Sequence, residues 1–275
     1  VVLDLVFVLV FHWGVAGAAA ATVLAQYASG VGLMVYFWLK CPHLRPRRQH
    51  MRWDRGIMKE ISGLSLLTCL QQSIMNFGIL MVQGLVNSFG TAVMAAFAAA
   101  VKIDSFAYSP VQDFGNAFST FVAQNYGAGQ RERIQKGFRS AVGAVFLFCA
   151  IISAGVCIFA PALMGIFVEP GETEIVAIGV SYLRIEGACY FGIGLLFLFY
   201  GYYRAVKRPG MSVVLTILSL GTRVALAYIL SALPGVGEIG IWVSVPIGWA
   251  LADLCGGFYY FKLKKHDPVP LNQSK

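Results

Sequence analysis

Charge is scarce in this sequence. Only 12% of its 275 residues are Asp, Glu, Lys or Arg, about half the roughly 25% usual in soluble domains. Acids are the scarcer sign, 13 against 21 Lys and Arg. The chain is 58% hydrophobic with mean hydropathy +0.70, and long uncharged runs exclude a soluble globular domain in favour of an integral membrane protein. Histidine is rarer still. His12, His43, His50 and His266 fall in connections or at ends. No paired His, Ser/His set or carboxylate pair forms a catalytic signature at membrane depth, so the chain is read as a non-enzyme without a cofactor. The six cysteines include no CxxC and no Cys/His cluster. That excludes a disulfide framework and a zinc site, and leaves small apolar packing residues.

The charge that is present lies mostly in short connections. Of the 21 Lys and Arg, seven fall from Lys40 to Lys59, four from Arg131 to Arg139, three from Arg204 to Arg208 and three from Lys262 to Lys265. The net charge of +8 is therefore not a nucleic-acid surface. It is the positive-inside pattern of a multi-pass protein, with basic loops and C-terminus in the cytoplasm. The connection from Glu169 to Glu174 is acidic and without a base, which places it outside.

The apolar runs between these connections predict about eight membrane helices, the first one truncated. Val1–Phe11 is about half of the roughly 20 residues a span needs. No charged n-region precedes it, so it is not a signal peptide, and the expectation is a span whose first half has been lost. The others are Val15–Leu39, Ile61–Phe89, the stretch from Gly90 to the basic run, Ala141–Phe167, Ile175–Tyr203, Met211–Leu233 and Ile239–Phe261. The fold class is all-α, a polytopic membrane helix bundle. Residues 1–39 hold two spans, 40–60 a basic cytoplasmic link, 61–263 a six-helix lobe and 264–275 a cytoplasmic tail.

Small residues recur in ridges that let helix backbones approach closely. One holds Gly17, Ala21, Ala25 and Ser29, a second Gly187, Gly194 and Gly201, a third Gly240, Ser244, Gly248, Ala252 and Gly256. Laying Gly14 on Gly237 also lays Gly17, Ala21, Ala25 and Ser29 on Gly240, Ser244, Gly248 and Ala252. Internal repeats of this kind are a habit of transporters, which bind their cargo between the halves.

The stretch from Gly90 to Arg139 carries the unusual polar groups. At the 100° step of an α-helix, Ser109, Asp113, Asn116, Thr120 and Gln124 all fall within about 40° of Lys102. In lipid such groups face a bundle interior or a water-filled cavity. Lys102 and Asp113 are about 16 Å apart along a straight helix, too far to bond each other directly. Asp104 lies off this arc. Pro110 predicts a kink. On the preceding span Ser65, Gln72, Asn76, Gln83 and Asn87 share a face, with Gln72 and Asn76 one turn apart. Arg184, Glu186 and Arg223 are further charges inside spans, with pairing and function both open for Arg184 and Glu186. Asp4 is a lone carboxylate in an apolar run, where desolvation favours proton exchange.

Three stretches carry a resemblance. Gly14-Val15-Ala16-Gly17-Ala18-Ala19-Ala20-Ala21-Thr22 resembles the "GxxGAAxAT" signature of the multidrug and toxic compound extrusion (MATE) family. Val122-Ala123-Gln124-Asn125-Tyr126-Gly127-Ala128-Gly129 resembles its "GQNxGAG" signature, and Leu67-Thr68-Cys69-Leu70-Gln71-Gln72-Ser73 its seventh helix. The resemblance implies twelve helices in two lobes, of which this chain holds the fifth in part and the rest onward. It implies antiport of organic, often cationic, compounds across the plasma membrane against sodium or protons. The second reading, a lipid-linked sugar flippase of the same superfamily, would carry more cationic groups than Lys102, Arg184 and Arg223.

The resemblance further implies a cation site, for sodium or a proton, at Asp4 and Thr22. The family's "NxxLDP" context is met only by Leu3-Asp4, because Leu5 replaces the Pro and the Asn falls before Val1. Some members place an acid on the seventh helix, where this chain has Gln71, Gln72 and Ser73. The substrate cavity expected is Gln72, Asn76, Lys102, Asp113 and Asn116. The partners expected are a small organic substrate and the lipid bilayer, with no nucleic acid, in a monomer.

Overall fold

The structure is a computed structural model that describes residue 3, residues 6–42 and residues 54–266. The chain divides into two compact units, Val1–Met58 and Lys59–Lys275. In the first, a single π-helical turn, Val6–Val10, precedes the long helix α1, Gly14–Lys40. The rings of Phe7, Phe11 and Trp13 gather at the joint, with centroids 5.2–5.8 Å apart. Gly17 leaves room for them: a Cβ there would lie 2.9 Å from Trp13 Cβ and 3.0 Å from Phe7 O. Of the first small-residue ridge, Gly17 and Ala21 are buried, while Ala25 and Ser29 are exposed.

The second unit holds most of α2, Arg55–Asn87, followed by α3, Thr91–Gly127, and α4, Arg131–Met164. Then come α5, Thr173–Gly187, α6, Tyr190–Ala205, α7, Pro209–Ser231, and α8, Glu238–His266. No strand occurs among the described residues. Helices α1, α2, α3, α4, α7 and α8 are each long and apolar enough to cross a membrane. Helices α5 and α6 are together long and apolar enough for a seventh, with a break after Gly187 and a bend of 51°.

Seven of the eight expected spans are present, counting the broken pair as one, with three differences of detail; of the expected first span, Val6–Val10 forms a π-helical turn. The basic run from Arg131 to Arg139 is not a connection. It forms the first turns of α4, because Arg, Lys and Gln are good helix formers and Glu132 pairs with Lys136 one turn on at 2.7 Å. Likewise α2 begins at Arg55, inside the stretch read as the link. The sixth span is two helices rather than one. Pro110 lies within α3, which continues through it.

In lipid, helices gain nothing from leaving water, so close packing and hydrogen bonds hold them together. The two remaining small-residue ridges do this work. On α8, a Cβ at Gly248 would lie 2.5 Å from Ser219 O, and one at Gly240 2.7 Å from the carbonyl carbon of Leu230. Ser244 between them and Ala252 one turn beyond Gly248 are fully buried. On the broken span, a Cβ at Gly194 would meet Val145 at 2.5 Å, and one at Gly201 would meet Gly115 O at 2.5 Å. Gly115 and Gly201 therefore set how closely α3 and α6 cross.

Two further local features matter. Gly14 and Gly237, which the internal repeat aligns, share a left-handed φ of +54°, a conformation that glycine adopts without steric cost. On α3, Phe97, Ala100, Asp104, Ala107, Val111, Gly115, Phe118 and Val122 are all buried. Their spacing of three and four residues is that of one helix face, and Asp104 sits in the middle of it.

Candidate functional site

Asp4 lies outside the described residues. Thr22 is exposed on α1 in the first unit, its hydroxyl donating to Ala18 O at 3.0 Å. In the second unit, Gln72 and Asn76 are exposed on α2, and Lys102, Asp113 and Asn116 are exposed on α3. The arc on α3 is thus the face that α4 to α8 leave open. Asn116 Oδ1 accepts a hydrogen bond from the Arg204 guanidinium at 3.0 Å, and the Arg204 Nε–H donates to Tyr200 O at 3.2 Å. That contact ties the arc to the end of α6. The buried face of α2 is a different one, formed by Gln71, Gly78, Val82 and Val86.

The charged side chains that the fold brings together stand behind the arc. Asp104 is 2% exposed and Glu186 4%. They come from α3 and α5, which pack together. Tyr190, the first residue of α6, donates its hydroxyl to Asp104 Oδ1. Tyr182 lies one turn before Glu186 on α5, and both stand within reach of Asp104, as does the guanidinium of Arg223 on α7. An aromatic box fixes Tyr182. Its ring stands edge-on to Phe97 at 5.6 Å and to Trp242 at 4.9 Å, while Phe97 and Trp242 stack 5.6 Å apart.

The local sequence explains each position. Phe97 and Asp104 lie two turns apart on the buried face of α3, and Tyr182 and Glu186 one turn apart on α5. The break after Gly187 then lets Tyr190 turn back toward Asp104. At the break the main chain satisfies itself in short loops, with Cys189 N–H donating to Glu186 O at 2.9 Å and Gly192 N–H to Cys189 O at 2.9 Å.

The cluster is not saturated. Glu186 Oε1, Arg223 Nε and Trp242 Nε1 are all buried without a hydrogen-bond partner among the described residues. A buried polar atom left unpaired costs about 1–3 kcal/mol. Two carboxyls beside one guanidinium leave a formal charge of −1 if both acids are ionised. One further positive charge, a proton or a small cation, would neutralise the set. Such an arrangement can take up and release a cation at membrane depth, where unpaired charge is expensive.

Neither acid was among the site residues expected from the sequence, and no carboxylate pair is visible there. The two acids are 82 positions apart (186 − 104), and only the packing of α3 on α5 makes them a pair. One signal was available. Asp104 interrupts an otherwise apolar helix face, and a lone carboxylate there must find a partner.

The comparisons with known proteins follow this architecture. The MatE family model matches residues 65–229. "Probable multidrug resistance protein YpnP" of Bacillus subtilis is 28% identical over 100% of this chain and 60% of its own length. "Probable multidrug resistance protein NorM" of Thermotoga maritima is 22% identical over 84% of this chain and 50% of its own. A solved structure described as the outward-facing conformation of a multidrug resistance MATE family transporter superposes with TM-score 0.87. It is 23% identical and covers 96% of this chain and 60% of that one. The chain thus spans a little over half the length of these relatives.

Proposed function

The chain belongs to the MatE family of membrane transporters, and from that premise we propose that it is part of a cation-coupled antiporter exporting small organic compounds. Its seat is the plasma membrane, with the basic connections and C-terminus on the cytoplasmic side, as the distribution of Lys and Arg favours. The relatives' names support organic drugs, rather than lipid-linked sugars, as cargo. The observation that carries the reading is the Asp104–Glu186 pair, with Tyr182, Tyr190 and Arg223 around it.

In this reading the pair is a coupling site. When it is loaded with a proton or sodium ion, the cluster is neutral and its packing is stable. When it is unloaded, the extra negative charge strains the packing of α5 and α6 against α3. That difference between loaded and unloaded states is what an antiporter needs, because an ion shifts a conformational equilibrium only by binding the two states unequally. Asp4 and Thr22 are proposed as a second cation site in the first unit. Gln72, Asn76, Lys102, Asp113 and Asn116 are proposed to line the substrate cavity. Their exposed polar rows on α2 and α3 suit contact with a hydrated organic cargo.

The test uses the full gene product in everted vesicles, with export of a cationic dye driven by a proton or a sodium gradient. Glu186→Gln and Asp104→Asn should each abolish ion-driven export while dye exchange without a gradient persists. Undiminished ion-driven export in the double variant would remove the pair from the mechanism. Asp4→Asn, run beside them, separates the two proposed cation sites.

A further inference from the structure

A further acid, partly buried, stands apart from the cluster. Asp253 is 15 residues into α8 (253 − 238), about 22 Å along its axis, and therefore at membrane depth. Its Oδ1 is buried without a hydrogen-bond partner among the described residues. Its Oδ2 faces Gly192: a Cβ on that glycine would lie 3.8 Å from the oxygen and 3.2 Å from the Cβ of Trp249, one turn earlier on α8. Gly192 sits in the first turn of α6, two residues beyond the tyrosine that holds Asp104. The break in the span is thus flanked by acids on both sides. Glu186 precedes it, Tyr190 reaches from it to Asp104, and Gly192 opens the space that Asp253 occupies.

Among the described residues the surroundings of Asp253 hold hydroxyls, while Arg223 of α7, whose Cβ comes close to Gly248 on α8, directs its charge to the Asp104–Glu186 pair. From α6, Tyr200 lies within electrostatic reach, and the Tyr203 hydroxyl is committed to Gly256 O at 2.6 Å. From α7 come Ser212 and Thr216, bonded to Tyr200 O and Ser212 O. On α8 itself the nearest titratable neighbour in sequence is Cys255. The arginines at the end of α6 are engaged elsewhere, Arg204 with Asn116 and Arg208 with the Tyr259 hydroxyl. An ionised carboxylate in lipid with no counter-charge is costly, whereas the neutral acid is not.

We propose that Asp253 is a second proton-carrying site of this unit, on the same coupling path as the Asp104–Glu186 pair. The inference rests on the reading of that pair as a coupling site. The step is a simple association: an Asp253 oxygen takes a proton delivered by water at the break, forming one O–H bond, and returns it the same way.

Two measurements test this. The first uses the chain itself in lipid nanodiscs, with carbon-13 at the side-chain carboxyl of aspartate, in an Asp4→Asn, Asp104→Asn, Asp113→Asn background. Exposed aspartates are ionised at neutral pH. An isotope-shifted carbonyl stretch of a protonated acid should therefore remain, stay unchanged on adding sodium, and vanish with Asp253→Asn. A folded background variant without that band at neutral pH overturns the proposal even if Asp253→Asn proves unstable. The second uses the full gene product. Asp253→Asn should lose export driven by a proton gradient and keep dye exchange without one. If Asp253→Asn retains proton-driven export while Glu186→Gln loses it, Asp253 is off the path and the role of the pair stands. If both variants retain it, the pair's role falls as well.

Discussion

Gly201→Ala adds one methyl group where α6 crosses α3. The new Cβ would lie 2.5 Å from Gly115 O and 3.3 Å from Ser119 Cβ. The first obstacle is a main-chain carbonyl, which no rotamer change can move, so α6 must back away from α3. Overpacking of this kind costs about 1–3 kcal/mol, and a rigid obstacle places it near the top of that range. Alanine recovers about 0.5–1 kcal/mol because it is the better helix former. The net expectation is a loss of about 2 kcal/mol. Gly221→Ala on α7 is the control. Nothing lies within 4 Å of a Cβ there, so only the propensity gain of about 0.5–1 kcal/mol applies. The two substitutions should shift stability in opposite directions. Unfolding can be followed with a thiol-reactive dye once the more accessible Cys41, Cys69, Cys157, Cys189 and Cys255 are replaced by alanine, since Cys149 alone of the six is buried. If Gly201→Ala matches Gly221→Ala, the close crossing of α3 and α6 is not what holds these helices.

Two further outcomes follow from the site and its surroundings. Tyr190→Phe leaves buried Asp104 short of a donor and should cost about 1–3 kcal/mol, most of which returns when Asp104 is also made Leu; losses that simply add would refute the contact. Lys207, in the turn after α6, is held above the ordinary lysine value by its hydrogen bond to Glu60 and by the attraction between the two charges. Its contribution to stability is therefore complete below 10.5, the ordinary value, and is lost as pH climbs through the raised one. Glu60→Gln should flatten the stability curve over that alkaline window, and high salt should do the same because both groups are exposed. Parallel curves for the two proteins would show that the pair contributes nothing.

Much of the fold was legible because lipid makes few demands and makes them strictly. Long apolar runs had to be spans, and glycines every four or seven residues had to be seams. The glycines at positions 14 and 237, which the repeat lays on one another, share a left-handed φ. The break after Gly187 was not legible, since no proline marks it and the apolar run continues on both sides of it. The buried acids were hidden for a different reason. A periodicity count ranks the residues of one helix and cannot say which face its neighbours will cover. On α3 the neighbours cover the face bearing Asp104, and the arc of Lys102, Asp113 and Asn116 is left open.

The contact between α7 and α8 has a mechanical consequence. At Gly240 and Gly248 the two helices rest main chain on main chain, with no cushion of side chains that could reshuffle and let one slide along the other. They should behave as a single stiff strut. Any flexing of the second unit then concentrates at residues 188 and 189, where the backbone ladder of the neighbouring span is already interrupted.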